Sequence, residues 1–490
     1  MPEIPREGRL PDAILADLAE LRKDDAQWRD GKVFSLVYDG GEAHQDLLKR
    51  AYTLYFSENG LNPMAFKSLR RMEADVVKMT LGMLNAKEDA VGTMTSGGTE
   101  SILLAVKAAR ERASKRGGRG FLGGKPELLV PKSIHVAFDK AAHYFGLEIR
   151  HVPLEDDFRV NVGALRAMVN RNTVLIAASA PQYPHGVIDP IEQIAAIARK
   201  KEIPFHVDAC IGGFVLPWIE RLGEPVPRWD FRVDGVTSIS ADLHKYGYGA
   251  KGASIIAYRD MSYMKHQFFV ATDWPGGIYA SPSMPGTRPG GAIAAAWAAL
   301  NGLGQEGYLR LTRRTLEAKK KLIAGIDGIP GLVVLGKPQS TIVSYASLDP
   351  TLDIYAVADA LEDRGWSVDR QQRPNSIHCT LMAKHADIMD AYLADVRAAA
   401  AEVRADPSRK SRGNAAMYGM MAKVPFRGMV RKGVERVMES MYGADGSDLD
   451  VSRAEGGPVM KKLQEYAPKA FELFDAVKAR LSGQDRGERP

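Results

Sequence analysis

The sequence predicts an α/β protein in which a mostly parallel central sheet follows a helical N-terminal segment and precedes a small α+β C-terminal domain. From about residue 90, short runs rich in Val and Ile alternate with helical patterns: LLVP near 130, TVLIAAS near 175, FHVDA near 207, GVTSIS near 237 and ASIIAY near 255. Such alternation is what a parallel sheet covered by helices on both faces requires. Ahead of it, residues 13–28, 42–56 and 66–84 read as helices, the last placing Leu69, Met72, Val76 and Met79 on one stripe and Arg70, Arg71 and Lys78 elsewhere. Behind it, the GTRPGG turn near 288 opens a long helical segment that runs with interruptions to about 325. Strand patterns near 332, 342 and 377 and helical patterns at 354–364 and 385–403 then give the α+β character. The expected division is a helical segment at 1–60, a large α/β domain at 61–310 and a small domain at 311–490. KRGGRGFLGGK (115–125) reads as a mobile surface loop, RADPSRKSRGN as an exposed linker, and the final SGQDRGERP as disordered.

With 490 residues, 45% of them hydrophobic and 26% charged, the chain can bury a large core. A formal charge of +6, spread among nearly as many carboxylates as cations, gives no argument for nucleic acid. Cys210 and Cys379 are the only cysteines. They supply neither a disulfide framework nor a cysteine-based zinc site, which fits a reducing compartment. The N-terminus alternates charged and apolar residues, without the continuous apolar run of a signal peptide or membrane span. The expectation is a cytoplasmic protein with no transmembrane segment and no metal.

Three local patterns carry chemistry. In VGTMTSGGTESILLAVKAAR (91–110) a turn of small residues runs straight into an apolar-periodic helix. Backbone N–H groups at a helix N-terminus, with Gly97 and Gly98 allowing close approach and Ser96 and Thr99 adding hydroxyls, suit an anion. Alone, the pattern is as well explained by an ordinary capped helix start, and it matches no P-loop or dinucleotide fingerprint. In FHVDACIGGF (205–214) Asp208 ends a short strand, where ligands of open parallel sheets sit. A buried carboxylate there needs a cationic partner, and the protonated ring nitrogen of pyridoxal phosphate is one; helix capping is the plain alternative. In SISADLHKYGYGAKG (238–252) His244 and Lys245 follow a strand among Gly247, Gly249 and Gly252. A lysine in such a turn can attack a carbonyl as the free amine, although most turn lysines are merely solvated. The order of the three within one α/β domain supplies a phosphate cradle, a pyridinium partner and a lysine able to carry the cofactor as a Schiff base.

Together with GKVFSLVY, NGLNPMAFKSLRRMEADVVKM, HVAFDKAAHYFG, SAPQYPHGVIDPI and GGIYASPSMPGTRPGG, these segments make the chain resemble the group II pyridoxal-phosphate decarboxylases over roughly residues 30 to 445. Within them it is most similar to the lyase branch that acts on phosphorylated long-chain bases. The resemblance implies an aspartate-aminotransferase-like fold of type I, an intertwined homodimer with active sites at the subunit interface, and pyridoxal 5'-phosphate as cofactor. It implies retro-aldol cleavage of a phosphorylated, lipid-like base to a fatty aldehyde and phosphoethanolamine. By the same resemblance, His135 stacks on the cofactor ring, Asp208 keeps its nitrogen protonated, Lys245 carries it, and His244 lies beside its phosphate. Tyr183 lines the site, and the turn around Thr287 reaches the neighbouring subunit's cofactor phosphate. Tyr38 and Lys251 match positions that bind the substrate phosphate. One departure stands out: Asn62, in NGLNP, replaces a phosphate-binding histidine, and its amide can donate hydrogen bonds but brings no charge.

Retro-aldol cleavage also needs a base near the C3 hydroxyl; released Lys245, His244, a tyrosine and the cofactor phosphate are the candidates. An amino-acid decarboxylase would use the same cofactor site and differ in the substrate pocket. A non-catalytic homologue is disfavoured by the presence of Lys245, Asp208 and His135.

Overall fold

The computed structural model describes residues 3–23, 25–26, 28–115, 124–423 and 427–443. Most of the 115–125 loop and the whole C-terminal tail therefore lie outside the described residues.

The described residues form a central seven-stranded sheet from β1 (Val91–Thr95), β2 (Glu127–Pro131), β3 (Glu148–Val152), β4 (Thr173–Ser179), β5 (Phe205–Asp208), β6 (Ser238–Ala241) and β7 (Ser254–Tyr258). Their spatial order is β1-β7-β6-β5-β4-β2-β3. The pairs among β2, β3, β4, β5 and β6 are parallel, and β7 runs antiparallel to both β6 and β1. Every residue of β2, β4, β5, β6 and β7 is buried. This is why these strands read as continuous apolar runs rather than alternating ones. β1 (VGTMT) and β3 (EIRHV) carry weaker patterns and lie at the two edges, where a strand need not be apolar on both faces.

A two-stranded ribbon, β8 (Phe269–Ala271) with β9 (Tyr279–Ser281), precedes the long helix Gly290–Asp327. That helix is broken at Gly304, whose φ of 56° and ψ of −179° are non-helical, which accounts for the interruption expected from sequence. The second sheet has the order β10-β11-β13-β12, from Leu332–Val334, Ile342–Ser347, Ser376–Thr380 and, for β12, Asp369–Gln371; all its pairs are antiparallel. Helices Ile354–Glu362 and His385–Ala405 cover it.

The two sheets have separate cores. Ile293, Ala296, Tyr308, Leu311 and Leu316 of the long helix join the larger apolar cluster, whereas Ala318, Leu322 and Ile326 join the cluster under the second sheet. The division expected at 310 thus falls inside a helix that serves both.

The N-terminal segment differs from the expected all-helical lead-in. Helix Pro11–Leu21 begins with Pro at its first position and ends well before residue 28; acidic residues such as Asp25 oppose the dipole at its C-terminal end. The segment after residue 31 docks on the second sheet, with Val33 bridged in parallel to Ser367 beside β12. Phe34 N–H donates to the Ser367 carbonyl (3.3 Å), and Thr380 N–H donates to the Phe34 carbonyl (2.8 Å). The fully buried Phe34 ring stacks on His385 at 4.5 Å. The tract expected as a linker holds a 3₁₀ turn, Pro407–Ser411, and then a helix from Gly413.

Candidate active site

The lysine turn follows β6, beside the carboxyl end of β5, so Asp208 and Lys245 leave neighbouring parallel strands on the side of the sheet where ligands bind. The turn is braced throughout. His244 N–H donates to the Ala253 carbonyl (3.0 Å), Tyr248 N–H to Lys245 (2.9 Å) and Gly249 N–H to Leu243 (2.8 Å). Gly247 is required by close approach, because a Cβ there would lie 2.5 Å from the Leu243 carbonyl oxygen. Three outer elements hold the same turn: Tyr308 Oη donates to the Gly247 carbonyl (2.8 Å), His44 Nε2 to that of Tyr248 (2.9 Å) and Tyr246 Oη to that of Leu381 (2.6 Å).

At its centre the Lys245 ammonium lies 3.0 Å from Asp242 Oδ2, with His244 Nε2 at 3.7 Å from the same oxygen. Burial works against the charge on Lys245, but Asp242 outweighs it and raises the lysine well above its ordinary value. Burial would equally lift the Asp242 carboxyl, and Lys245 instead holds it below the usual carboxylate range. Asp242 was not among the residues singled out from sequence; the available signal was an acid three residues before the lysine, at a strand end.

Asp242 also explains one glycine of the turn above it. A Cβ on Gly98 would come within 2.7 Å of both Asp242 Oδ2 and Cys210 Sγ, so only glycine lets the helix start Gly98–Lys115 approach this carboxylate. A Cβ on Gly97 would lie 3.2 Å from His244 Cε1. The first turn of an α-helix has no intrahelical partner for its N–H groups, so Gly98, Thr99 and their neighbours present donors beside Lys245. Ser96 is engaged locally: both its N–H and its hydroxyl donate to Glu100 Oε2, each at 2.7 Å.

Asp208 is buried; its Oδ1 accepts from Cys210 N–H (3.1 Å) and from Ser240 Oγ (3.3 Å). The helix-capping role weighed from sequence is not what this residue plays, because Oδ1 closes a local turn on Cys210 and the short helix that follows has Ile211 at its N-cap with no side-chain cap, while Oδ2 has no hydrogen bond among the described residues. Beneath it, His206 is wedged between Ser238 Oγ and Ser240 Oγ, and burial pushes its pKa down to about 4.

Tyr38 and Lys251 meet beside the lysine. Lys251 Nζ donates to the Leu36 carbonyl (2.6 Å) and sits 5.5 Å from the centre of the Tyr38 ring. Leu36 takes a φ of 66°, a left-handed conformation that is uncommon for leucine and turns its carbonyl toward the lysine. Tyr38 packs edge-on against Tyr246 at 5.0 Å. Its hydroxyl is raised to about 12, by burial first, with Lys245 pulling the other way. Burial, and then repulsion from Lys245, lowers the pKa of Lys251. Tyr183 faces the same ammonium from the loop after β4; burial and then the charge of Asp369 raise its hydroxyl above its ordinary value, against the pull of Lys245.

Three residues stand apart within one chain. His135 follows β2 as an exposed residue whose Nδ1 accepts from Ala137 N–H (3.2 Å), which excludes a buried core histidine. Asn62 is exposed, and its Oδ1 accepts from Met64 N–H (2.9 Å). Thr287 is exposed in a segment tied to the Asn62 region by Gly60 N–H donating to the Arg288 carbonyl (2.8 Å). Among the described residues no hydrogen bond joins His135, Asn62 or Thr287 to Lys245.

The family model described as the pyridoxal-dependent decarboxylase conserved domain matches residues 4–346. The chain belongs to the pyridoxal-dependent decarboxylase family. Its cofactor is pyridoxal 5'-phosphate, and its central sheet is that of the fold type I enzymes. This decarboxylase-family chain is 43% identical over 446 residues to the sphingosine-1-phosphate lyase of Oryza sativa subsp. japonica, covering 89% of this chain and 81% of the relative. It superposes on the solved sphingosine-1-phosphate lyase of Burkholderia pseudomallei with a TM-score of 0.82 and 36% identity, covering 91% of this chain and 98% of that one. The Lactobacillus brevis glutamate decarboxylase, at 20% identity and a TM-score of 0.72 over 82% of this chain and 95% of its own, shares the fold.

The residues present fit the cofactor. Among the described residues, Asp242 Oδ1 and His244 Nδ1 are buried without a hydrogen-bond partner, next to a lysine and to a glycine-lined helix start. Unpaired buried polar atoms of this kind are costly unless a bound group supplies the missing partner. Among the described residues, no group of three or more His, Cys, Asp or Glu is arranged to hold a metal ion, and no helix is long and apolar enough to cross a membrane.

Proposed function

We propose that the protein is a pyridoxal-phosphate-dependent aldehyde-lyase that cleaves phosphorylated long-chain (sphingoid) bases to a fatty aldehyde and phosphoethanolamine. The observation that supports this reading is the meeting of Lys251 and Tyr38 beside Lys245, a cation and a phenol of the kind a substrate phosphate needs. It agrees with the extent of likeness to sphingosine-1-phosphate lyases, which spans most of both chains.

In this reading Lys245 carries the cofactor, and Asp208 Oδ2 holds the proton on its ring nitrogen. His135 stacks on the ring. The N–H groups of Gly97, Gly98 and Thr99, with Ser96 and His244, bind its phosphate, joined by Thr287 from a second subunit. The bound cofactor accepts the electron pair released when a bond at the amine-bearing carbon breaks. Asp242 pairs with the Lys245 ammonium whenever the lysine is freed and keeps it beside the site, and a proton must leave that pair before the lysine returns as an amine. Lys251 and Tyr38 grip the substrate phosphate, and Asn62 adds an amide donor where a histidine would have added charge.

The functional unit we infer is a homodimer. Helix Pro11–Leu21 buries none of its residues and leaves Leu10, Leu15 and Leu21 largely exposed, and the β8–β9 ribbon exposes Phe269, Val270, Trp274 and Ile278. Apolar surface of this extent is usual at subunit interfaces, and a second chain would also bring a Thr287 to each lysine. With only Cys210 and Cys379, both free and buried, the natural setting is a reducing cytoplasm.

The deciding experiment offers the holoenzyme a phosphorylated sphingoid base, its unphosphorylated parent and a panel of amino acids, with detection of aldehyde and carbon dioxide. Aldehyde from the phosphorylated base alone is the expected result. Carbon dioxide from an amino acid, without aldehyde, would replace this reading with a decarboxylase.

A further inference from the structure

The geometry points to Asp369, on the edge strand of the second sheet, as the positioning residue that makes Tyr183 a proton acceptor for the substrate's C3 hydroxyl. This rests on the lyase reading above and adds to it a base that the sequence left open. Tyr183 leaves the large sheet in the loop after β4, and its hydroxyl donates to Asp369 Oδ2 at 3.1 Å across 186 positions of sequence. Its ring stacks on His378 at 4.2 Å and 26°. That imidazole cannot turn away: Gln371 Nε2 donates to Nδ1 (3.0 Å), and Nε2 donates to Thr380 Oγ1 (2.8 Å). Asp369 is the register partner of His378 across β12 and β13, so one strand pair fixes both the stacking platform and the carboxylate.

The consequence is a tyrosine clamped at its ring and hydroxyl, with 36% of its surface open, facing the same ammonium as Tyr38. Its own proton is committed to Asp369, so the phenol oxygen offers lone pairs outward. A C3 hydroxyl placed there gives its proton to Tyr183 as the Tyr183 proton moves to Asp369. The C2–C3 bond breaks and C3 leaves as the aldehyde carbon, the released electron pair going to the sink that a bound cofactor would supply. The proton gained by Asp369 balances the one C2 takes up to become phosphoethanolamine, and no oxidant or reductant is needed.

The test compares holoenzyme variants Asp369→Asn, Asp369→Glu and Tyr183→Phe. Asp369→Asn should lower kcat for aldehyde release on the order of 10²-fold, the usual contribution of a positioned proton acceptor, with KM little changed. Asp369→Glu, which keeps the carboxylate, should restore part of the rate. Asp369→Asn should cost nothing further in a Tyr183→Phe background, as coupled residues require. Phosphoethanolamine, which lacks C3, should still bind the Asp369→Asn variant as judged by the cofactor's visible absorbance. An unchanged kcat would overturn the proposal. So would parallel loss of phosphoethanolamine binding, which marks a merely structural role. A wild-type enzyme that releases no aldehyde from any phosphorylated base would overturn the lyase reading instead.

Discussion

The lysine turn and the Asn62–Thr287 region are built in opposite ways. Around Lys245, His44 of an N-terminal helix, Tyr308 of the long helix and the Leu381 carbonyl after β13 all hold one short loop, and its polar atoms are mostly committed. Around Asn62 and Thr287 the chain is exposed and held mainly by backbone contacts and by Arg288 paired with Glu73 (2.9 Å). The contrast teaches that one chain builds the lysine turn as a buried, braced unit and leaves the Asn62–Thr287 region exposed, the arrangement expected if a second subunit covers that region.

The comparison breaks most sharply at the buried end. Asp208→Asn should retain part of the cofactor binding but cut turnover by a factor of about 10² or more, because a neutral amide no longer holds the ring nitrogen protonated. Near wild-type turnover would reduce Asp208 to a local acceptor for the Cys210 N–H. Lys251→Ala should raise KM for a phosphorylated base, equivalent to about 1.5–3 kcal/mol for a hydrogen bond to a charged group, while unphosphorylated amines bind as before. An equal loss for both would show that Lys251 only braces Leu36.

At the open end the expected effects are smaller. Sedimentation at low concentration should give twice the 53.6 kDa chain mass, and charged substitutions at Leu15 and Leu18 should shift it toward the monomer with loss of activity. A fully active monomer would remove the second subunit from the account. Asn62→His should preserve or modestly improve cleavage, because an imidazole can add charge where the amide adds only a donor; a large loss would mean Asn62 serves its own turn.

The folded chain also has a sensitivity to acid that can be measured without substrate. Burial pushes His185, His206, His378 and His385 down to about 4. Between that value and the ordinary histidine pKa of about 6.5 the unfolded chain binds protons that the folded chain refuses, so stability falls as pH drops through this window. Urea midpoints measured across it should decline steadily. A flat profile would mean that these imidazoles accept protons without disturbing the fold.

Much of this was readable in the sequence for physical reasons. The buried strands announce themselves as Val- and Ile-rich runs, and Gly98, Asp208 and Lys245 sit at strand ends and helix starts where local pattern and chemistry coincide. β1 and β3 were harder, since edge strands carry mixed residues, and the docking of Phe34 on the second sheet has no local signature. Asp242 was hidden in plain view beside Lys245. Asp369 was out of reach, because its contact with Tyr183 joins two elements far apart in the chain.

The central claim is that Lys245 carries the cofactor. Borohydride reduction of the holoenzyme, followed by peptide mass spectrometry, should place a single pyridoxyl adduct on Lys245, and Lys245→Ala should abolish it along with activity. An adduct mapping instead to Lys107, Lys251 or any other lysine would contradict the account.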